Sequence, residues 1–293
     1  MKHITVFTST VYQDVARVWH ACISRAFPSR EAQIEIFFDA PGQLDSDYFP
    51  GVRLLQRGPG RRDFHEAYND AVRRCRTPLL AICDSDVFWV DRELWPWVRE
   101  QFKDPALAAV SCMSRRKRPS HGTFSVVLRP QVYRQLLETR LPDGFYPAAE
   151  TVAPSLPLEQ WQWYDSGDRI SQALVEAGYG LRLLHCDEQG RLVRLQSITL
   201  VRRTAGFIGA EPLAAMAGRS RYFWRGYSSN LHLKALHDRH FADGPRYHFP
   251  YSARALQKQK EVGPRPEVKW RSEFDHDIRR GMHRVRGFLG DLP

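Results

Sequence analysis

The sequence predicts an α/β fold, a mostly parallel β-sheet with helices on both faces followed by a C-terminal helical extension. Three observations predict it. Short apolar runs with the length of buried strands (Ile4 to Thr8, Ile34 to Phe38, Leu79 to Cys83) alternate with stretches whose apolar residues recur at helical spacing. Each of these runs ends on a polar or acidic residue, as strands do when they leave a sheet toward a ligand crevice. A chain of 293 residues, 43% of them hydrophobic, is long enough for one large α/β core with a tail.

The elements follow in order. Ile4 to Thr8 reads as a strand, and Val11 to Phe27 as a helix whose stripe is Val15, Val18, Trp19, Cys22, Ile23 and Phe27, stopped by Pro28. Ile34 to Phe38 is a second strand, closed by Asp39 and the turn Pro41-Gly42, and together these form a βαβ opening. A short strand at Val52 to Leu55 precedes a loop of Gly and Arg at residues 57–63 and a polar helix from about Phe64 to Cys75. Leu79 to Cys83 is a strand that runs into Asp84-Ser85-Asp86. Leu94 to Phe102 is a helix, Ala108 to Met113 and Thr123 to Leu128 are strands flanking the basic loop Ser114 to Gly122, and Pro130 to Thr139 is a helix. Residues 141–163 are irregular and rich in Pro and aromatics, Asp168 to Ala177 is a helix before Gly178, and Leu181 to Leu184 is a strand ending at His185. Leu192 to Leu195 and Ile198 to Val201 are expected to form a hairpin, and the end of the chain reads as helical pieces broken at Gly263-Pro264.

Composition bounds the function. No stretch approaches the roughly 18 apolar residues of a membrane span, and the residues after Lys2 do not form a secretory leader, which leads to the expectation of a cytoplasmic protein, either free or peripheral at a membrane. The five cysteines are odd in number and have no CxxC spacing, so a zinc or redox motif is excluded. The net charge of +10 is clustered: residues 111–140 hold seven Lys/Arg against one acid, and residues 191–240 hold nine against two. That distribution fits attraction to phosphates, to an anionic acceptor or to an acidic membrane face.

The chemistry concentrates at the strand ends. Asp84 and Asp86, at i and i+2 where a strand leaves the sheet, can both reach one hard cation, Mn²⁺ or Mg²⁺, while Ser85 turns toward the bound ligand. Such a cation bridges the phosphates of a nucleotide diphosphate and neutralises charge on a departing group. Thr8, Ser9, Thr10 and Asp39 sit at the ends of the neighbouring strands and should face the same crevice, and Arg61 and Arg62 lie in the loop where a cation would meet the diphosphate.

The passage from Phe64 to Phe88 resembles the helix, strand and D-x-D segment of the family 2 glycosyltransferases and their GT-A relatives. The likeness rests on Asn69 in a polar helix, Thr77-Pro78, the apolar strand and the acidic triplet. It implies a Rossmann-like GT-A fold and transfer of a sugar from a nucleotide diphosphate sugar to an acceptor hydroxyl. It further implies that Asp39 contacts the base or ribose, that Thr8 borders that pocket and that Asn69 belongs to the donor site. The likeness extends over residues 3–90 and weakens to about 185. On this reading residues 1–240 form the transferase domain, with a nucleotide-binding half over about 1–90 and an acceptor half over about 91–240, and residues 241–293 form the helical extension. One departure is the end of the second strand, Phe37-Phe38-Asp39-Ala40, which lacks the family's acidic pair followed by Gly-Ser.

The family also places a catalytic acidic pair before a helix that ends in a Gly-aromatic turn. Here that pair is split into Asp165 and Asp168, ahead of Gly178-Tyr179, and a carboxylate there is placed to take the acceptor's proton in an inverting transfer. The aromatics Tyr146, Trp161, Trp163 and Tyr164 crowd the same stretch. In some retaining relatives a His on a late strand is a third metal ligand, and that resemblance makes His185 the positional candidate here, with His232 a second. Two other readings compete. A nucleic-acid-binding protein would explain the basic charge and the aromatics among Arg219 to Tyr227, but no binding motif is present and no nucleic acid is expected as partner. A nucleotidyltransferase should carry a Gly-rich anchor after the first strand, which Thr8 to Tyr12 lacks.

Overall fold

Along the chain the strands are β1 (Ile4–Thr10), β2 (Ala32–Phe38), β3 (Val52–Gln56), β4 (Leu79–Cys83), β5 (Val87–Trp89), β6 (Leu107–Ser111), β7 (Ser125–Leu128), β8 (Gly180–Leu183) and β9 (Leu192–Arg194). The helices are α1 (Gln13–Ala26), α2 (Phe64–Arg74), α3 (Leu94–Gln101), α4 (Pro130–Thr139), α5 (Asp168–Glu176), α6 (Arg221–His240) and α7 (Lys269–Leu289). The structure, a computed structural model, describes residues 2–40, 43–56, 64–113, 121, 124–146, 166–196, 198–199, 201–202, 204, 221–241, 243–244, 247, 249 and 269–290.

β1 consists of β-branched and aromatic residues except for Ser9, and β4 is apolar throughout, as strands covered on both faces require. They lie at the centre of a seven-stranded mixed sheet of order β3-β2-β1-β4-β7-β6-β8. The pairs β1–β2, β2–β3, β1–β4 and β6–β8 are parallel, and β7 alone runs antiparallel to its neighbours β4 and β6. The chain thus leaves β1 toward β2 and β3 on one side and returns on the other side as β4. That reversal is a topological switch, and the crevice beyond it collects ligands in open α/β sheets.

Two cores cover the sheet. On one face α1 buries Val15, Val18, Trp19, Cys22 and Ile23 at helical spacing, together with residues of α3, α6, α7, β5 and β9. On the other, α2, α4 and α5 bury Ala67, Tyr68, Val72, Tyr133, Leu136, Ile170 and Leu174. The helix expected beyond residue 240 begins at Lys269 and packs back onto the first core through Ile278, Met282, Val285 and Leu289, and Arg25 Nη1 donates to Phe288 O at 3.0 Å.

The expected hairpin of Leu192–Leu195 with Ile198–Val201 does not form. β9 instead pairs antiparallel with β5, and residues 198–199 and 201–202 are helical. The reason is long-range: Leu195 N donates to Asp86 O at 2.9 Å, so the strand continues the pairing begun at Val87. The Gly263-Pro264 break lies outside the described residues.

Candidate functional site

Register places the polar strand ends together. Phe7 pairs with Ile82, which sets Cys83 and Asp84 level with Thr8 and Ser9, and Thr10 pairs with Phe38, with Asp39 N donating to Thr10 O at 2.8 Å. The three clusters anticipated at the carboxyl ends of β1, β2 and β4 therefore share one edge of the sheet at the switch point. Within β1 the side chains divide by alternation. Thr8 is fully buried and its hydroxyl has no partner among the described residues, Ser9 is half-exposed, and Thr10 Oγ1 accepts from Tyr12 N at 3.2 Å to hold the turn into α1.

At Asp84 the chain leaves the sheet. Asp84 N donates to Phe124 O at 2.9 Å, Val87 N donates back to Asp84 O at 3.0 Å, and the turn delivers the chain to β5. Asp84, Ser85 and Asp86 are half-buried. Tyr68 Oη, from α2, donates to Asp84 Oδ1 at 2.9 Å. The β5–β9 pairing sets Arg194 opposite Val87, beside Asp86, with its guanidinium 3.5 Å from the centroid of Phe124. Burial first, and then the like charge of Asp84, push the Asp86 carboxyl up to about 7, while Arg194 opposes that shift. Two carboxylates that repel one another in a half-buried turn form an oxygen donor set suited to a hard divalent cation. Among the described residues no group of three or more His, Cys, Asp or Glu is placed to hold a metal.

Ser166, ahead of α5, meets α2. Asp165 lies outside the described residues, as do Arg61, Arg62, Trp161, Trp163, Tyr164 and the basic loop Arg115 to Arg118. Ser166, next to Asp165, is buried, and its Oγ lies 2.6 Å from His65 Nε2. Asp168 opens α5 behind Gly167, whose φ of +90° and close approach to His121 O, 2.4 Å from where a Cβ would stand, admit only glycine. Tyr146 packs against His65 in a tilted arrangement with ring centroids 4.8 Å apart. His65 and Tyr68 stand three apart on one helix, so one turn of α2 touches both the Asp84 carboxylate and Ser166.

Three anticipated residues are placed elsewhere. Asn69 is buried, its Nδ2 donates to Asp143 O at 2.9 Å and its Oδ1 accepts from Phe145 N at 3.1 Å, so its amide is committed to the turn 141–145. Gly144 in that turn has φ +56°, and a Cβ there would lie 2.2 Å from Asn69 Oδ1. His185 follows β8 at the margin of the sheet, with β6 and β7 between it and β4, and its half-exposed ring lies 3.6 Å from Glu188. The structure does not bring it to Asp84 and Asp86, because β8 adds beside β6 and not beside β4. His232 lies on α6 in a groove with Arg239, Arg279 and Arg286.

Sequence reasoning missed Tyr68 and Arg194. Tyr68 was visible as part of the α2 stripe, whereas Arg194 depends on a pairing across more than a hundred residues.

No protein-family model matches the chain, and no curated protein matches it in sequence. Among solved structures the chain is similar to a mannosyltransferase from Pyrobaculum calidifontis in complex with GDP-Man and Mn²⁺, at 17% identity over 97% of this chain and 86% of that one, with a TM-score of 0.45. It is also similar to glucosyl-3-phosphoglycerate synthase from Mycobacterium tuberculosis (12% identity, 62% and 70% of the two chains, TM-score 0.38). A further similar structure is 4-diphosphocytidyl-2C-methyl-D-erythritol synthase from Anaerococcus prevotii (10% identity, 62% and 88%, TM-score 0.41).

The Asn69 geometry makes a direct prediction. Asn69→Ala leaves the buried Phe145 N–H and Asp143 carbonyl without their partner and is expected to lower the unfolding free energy by about 1–3 kcal/mol. Urea denaturation measures this, and a variant of unchanged stability would return Asn69 to contact with a ligand.

Proposed function

We propose that the chain transfers a sugar from a nucleotide diphosphate sugar to an acceptor hydroxyl, with inversion, and that it uses Mn²⁺ or Mg²⁺ held by Asp84 and Asp86. The observation that carries this reading is the single turn of α2 on which Tyr68 donates to Asp84 and His65 meets Ser166, which follows Asp165 in the sequence and comes two residues before Asp168. A donor phosphate at one cluster and an acceptor hydroxyl at the other would then lie on either side of one rigid element.

In this reading Thr8, Ser9, Thr10 and Asp39 border the nucleoside, and Ser9 is the member of the β1 end open to it. Ser85 faces the sugar, and Arg61 and Arg62 meet the diphosphate. Tyr68 orients the Asp84 carboxylate by its hydrogen bond, and Arg194 offsets the negative charge of the pair from the β9 side. The bound cation would supply charge neutralisation for the departing diphosphate. Asp165 or Asp168 takes the proton of the acceptor hydroxyl, and only one of them can occupy the position beside it.

Asp86→Ala is expected to give a folded chain that no longer binds nucleoside diphosphates in a Mn²⁺-dependent manner. Calorimetric titration with and without chelator measures this, and an unchanged affinity in both conditions contradicts the metal assignment. For the base, Asp165→Asn is expected to lower kcat by about 10² to 10⁴ while donor affinity stays nearly constant. Asp168→Asn, measured in the same way, identifies which carboxylate acts. A loss of donor binding would move the residue to the donor site, and near-normal turnover in both variants would remove the base from this segment.

A further inference from the structure

α6 and α7 run side by side in the same direction. Trp224 Nε1 and Ser228 Oγ, early in α6, donate to Asp275 Oδ1 early in α7 at 3.2 and 2.7 Å, and Arg239 near the end of α6 shares a groove with Arg286 of α7. Between the two helices is a concave groove of ≈ 290 Å³. His232 and Arg239 line it from α6, at i and i+7, and Arg279, His283 and Arg286 line it from α7, at i, i+4 and i+7. Leu236 and Met282 form an apolar floor.

The groove carries an excess of cationic side chains. Among the described residues no carboxylate is in ion-pair contact with Arg239, Arg279 or Arg286, whereas Arg280, one residue along α7, pairs with Asp277 at 3.2 Å. Of the acids nearby, Asp275 accepts from the neutral donors Trp224 and Ser228 and offsets part of the positive charge near His232, and Asp238 is held by Lys234, His237 and Tyr247 N. Like charges ranged along one helix ridge and facing a second cationic ridge oppose each other. The arrangement is relieved by an anion seated between them, and planar guanidinium forks match the oxygens of a phosphate group.

We propose that the α6–α7 groove is a second anion site, distinct from the Asp84–Asp86 crevice, that binds a phosphate-bearing group through Arg239, Arg279 and Arg286 with its apolar portion on Leu236 and Met282. The size of the groove suits one phosphorylated small molecule or one phospholipid headgroup. The ligand chemistry is common to both sources.

The test uses the full chain in the presence of chelator, so that metal-dependent binding at the crevice is silent. Inorganic pyrophosphate is titrated calorimetrically, and flotation is measured with phosphatidylcholine vesicles with and without phosphatidylglycerol. The comparison is between the native chain, the double variant Arg279→Gln/Arg286→Gln and the control Arg280→Gln. Saturable pyrophosphate binding that weakens by about tenfold or more in the double variant and is retained in the control is the expected result for a soluble ligand. Flotation confined to phosphatidylglycerol vesicles, with the same dependence on the variants, assigns the groove to a lipid headgroup. No binding to either probe, or equal weakening by Arg280→Gln, overturns the site and leaves a solvated basic face. In the native chain, pyrophosphate should also protect Arg279 and Arg286, but not Arg280, from modification by phenylglyoxal. Equal protection of all three contradicts the proposal without reliance on any variant.

Discussion

The candidate site depends on how the chain leaves β4. A strand buried on both faces delivers Asp84 to the carboxyl edge of the sheet at its switch point, and there the backbone turns through Asp84 N to Phe124 O and Val87 N to Asp84 O. The turn serves two ends. It places Asp84 and Asp86 in one half-buried turn, where each disfavours the charge of the other, and it sends the chain into β5, whose partner β9 returns Arg194 beside Asp86. If β4 ended a residue earlier or later, the alternation of the strand would turn the first carboxylate to the other face of the sheet.

A second constraint ties the late part of the chain to the early part. Arg202 forms a bidentate ion pair with Asp14, at 2.8 and 3.1 Å, donates to Asn230 Oδ1 at 2.9 Å and lies over the rings of Tyr12 and Tyr247. Tyr247 Oη donates to the same Asn230 oxygen at 3.0 Å. Both charges are nearly inaccessible, so the cost of breaking the pair, about 3–5 kcal/mol, exceeds the net stability that forming it contributes. Its value is therefore positional. It anchors α6 and the segment through Tyr247 against the start of α1, directly after the turn that carries Thr8, Ser9 and Thr10. α7 extends the same layer and closes the α6–α7 groove on its outer side.

Much of this was legible in the residues. The α1 stripe, the apolar Leu79–Cys83 run and the Asp-Ser-Asp that follows it each carry a local signal, and the strand ends at Thr8–Thr10 and Asp39 follow from the alternation of strands with helices. What was hidden is pairing over long separations. β5 and β9 have three residues each, too few for a period to show, and their partnership spans a hundred residues. The antiparallel β7 is indistinguishable from its parallel neighbours by composition. The same gap moved His185 to the sheet margin, and it hid Arg194 and the tie between Tyr68 and Asp84. Asn69 shows a different limit: a polar residue at the expected place in the helix serves a buried turn, and only the turn's closeness, through Gly144, reveals it.

The central claim is that the switch-point crevice handles a nucleotide diphosphate sugar. Among the described residues no helix is long and apolar enough to cross a membrane. The most direct measurement incubates the native chain with a panel of nucleotide diphosphate sugars and Mn²⁺ and follows release of nucleoside diphosphate. The account predicts release from at least one sugar nucleotide, abolished by chelator. No release from any member of the panel, together with pyrophosphate formed from a nucleoside triphosphate and a sugar phosphate, would contradict it and make the crevice that of a nucleotidyltransferase.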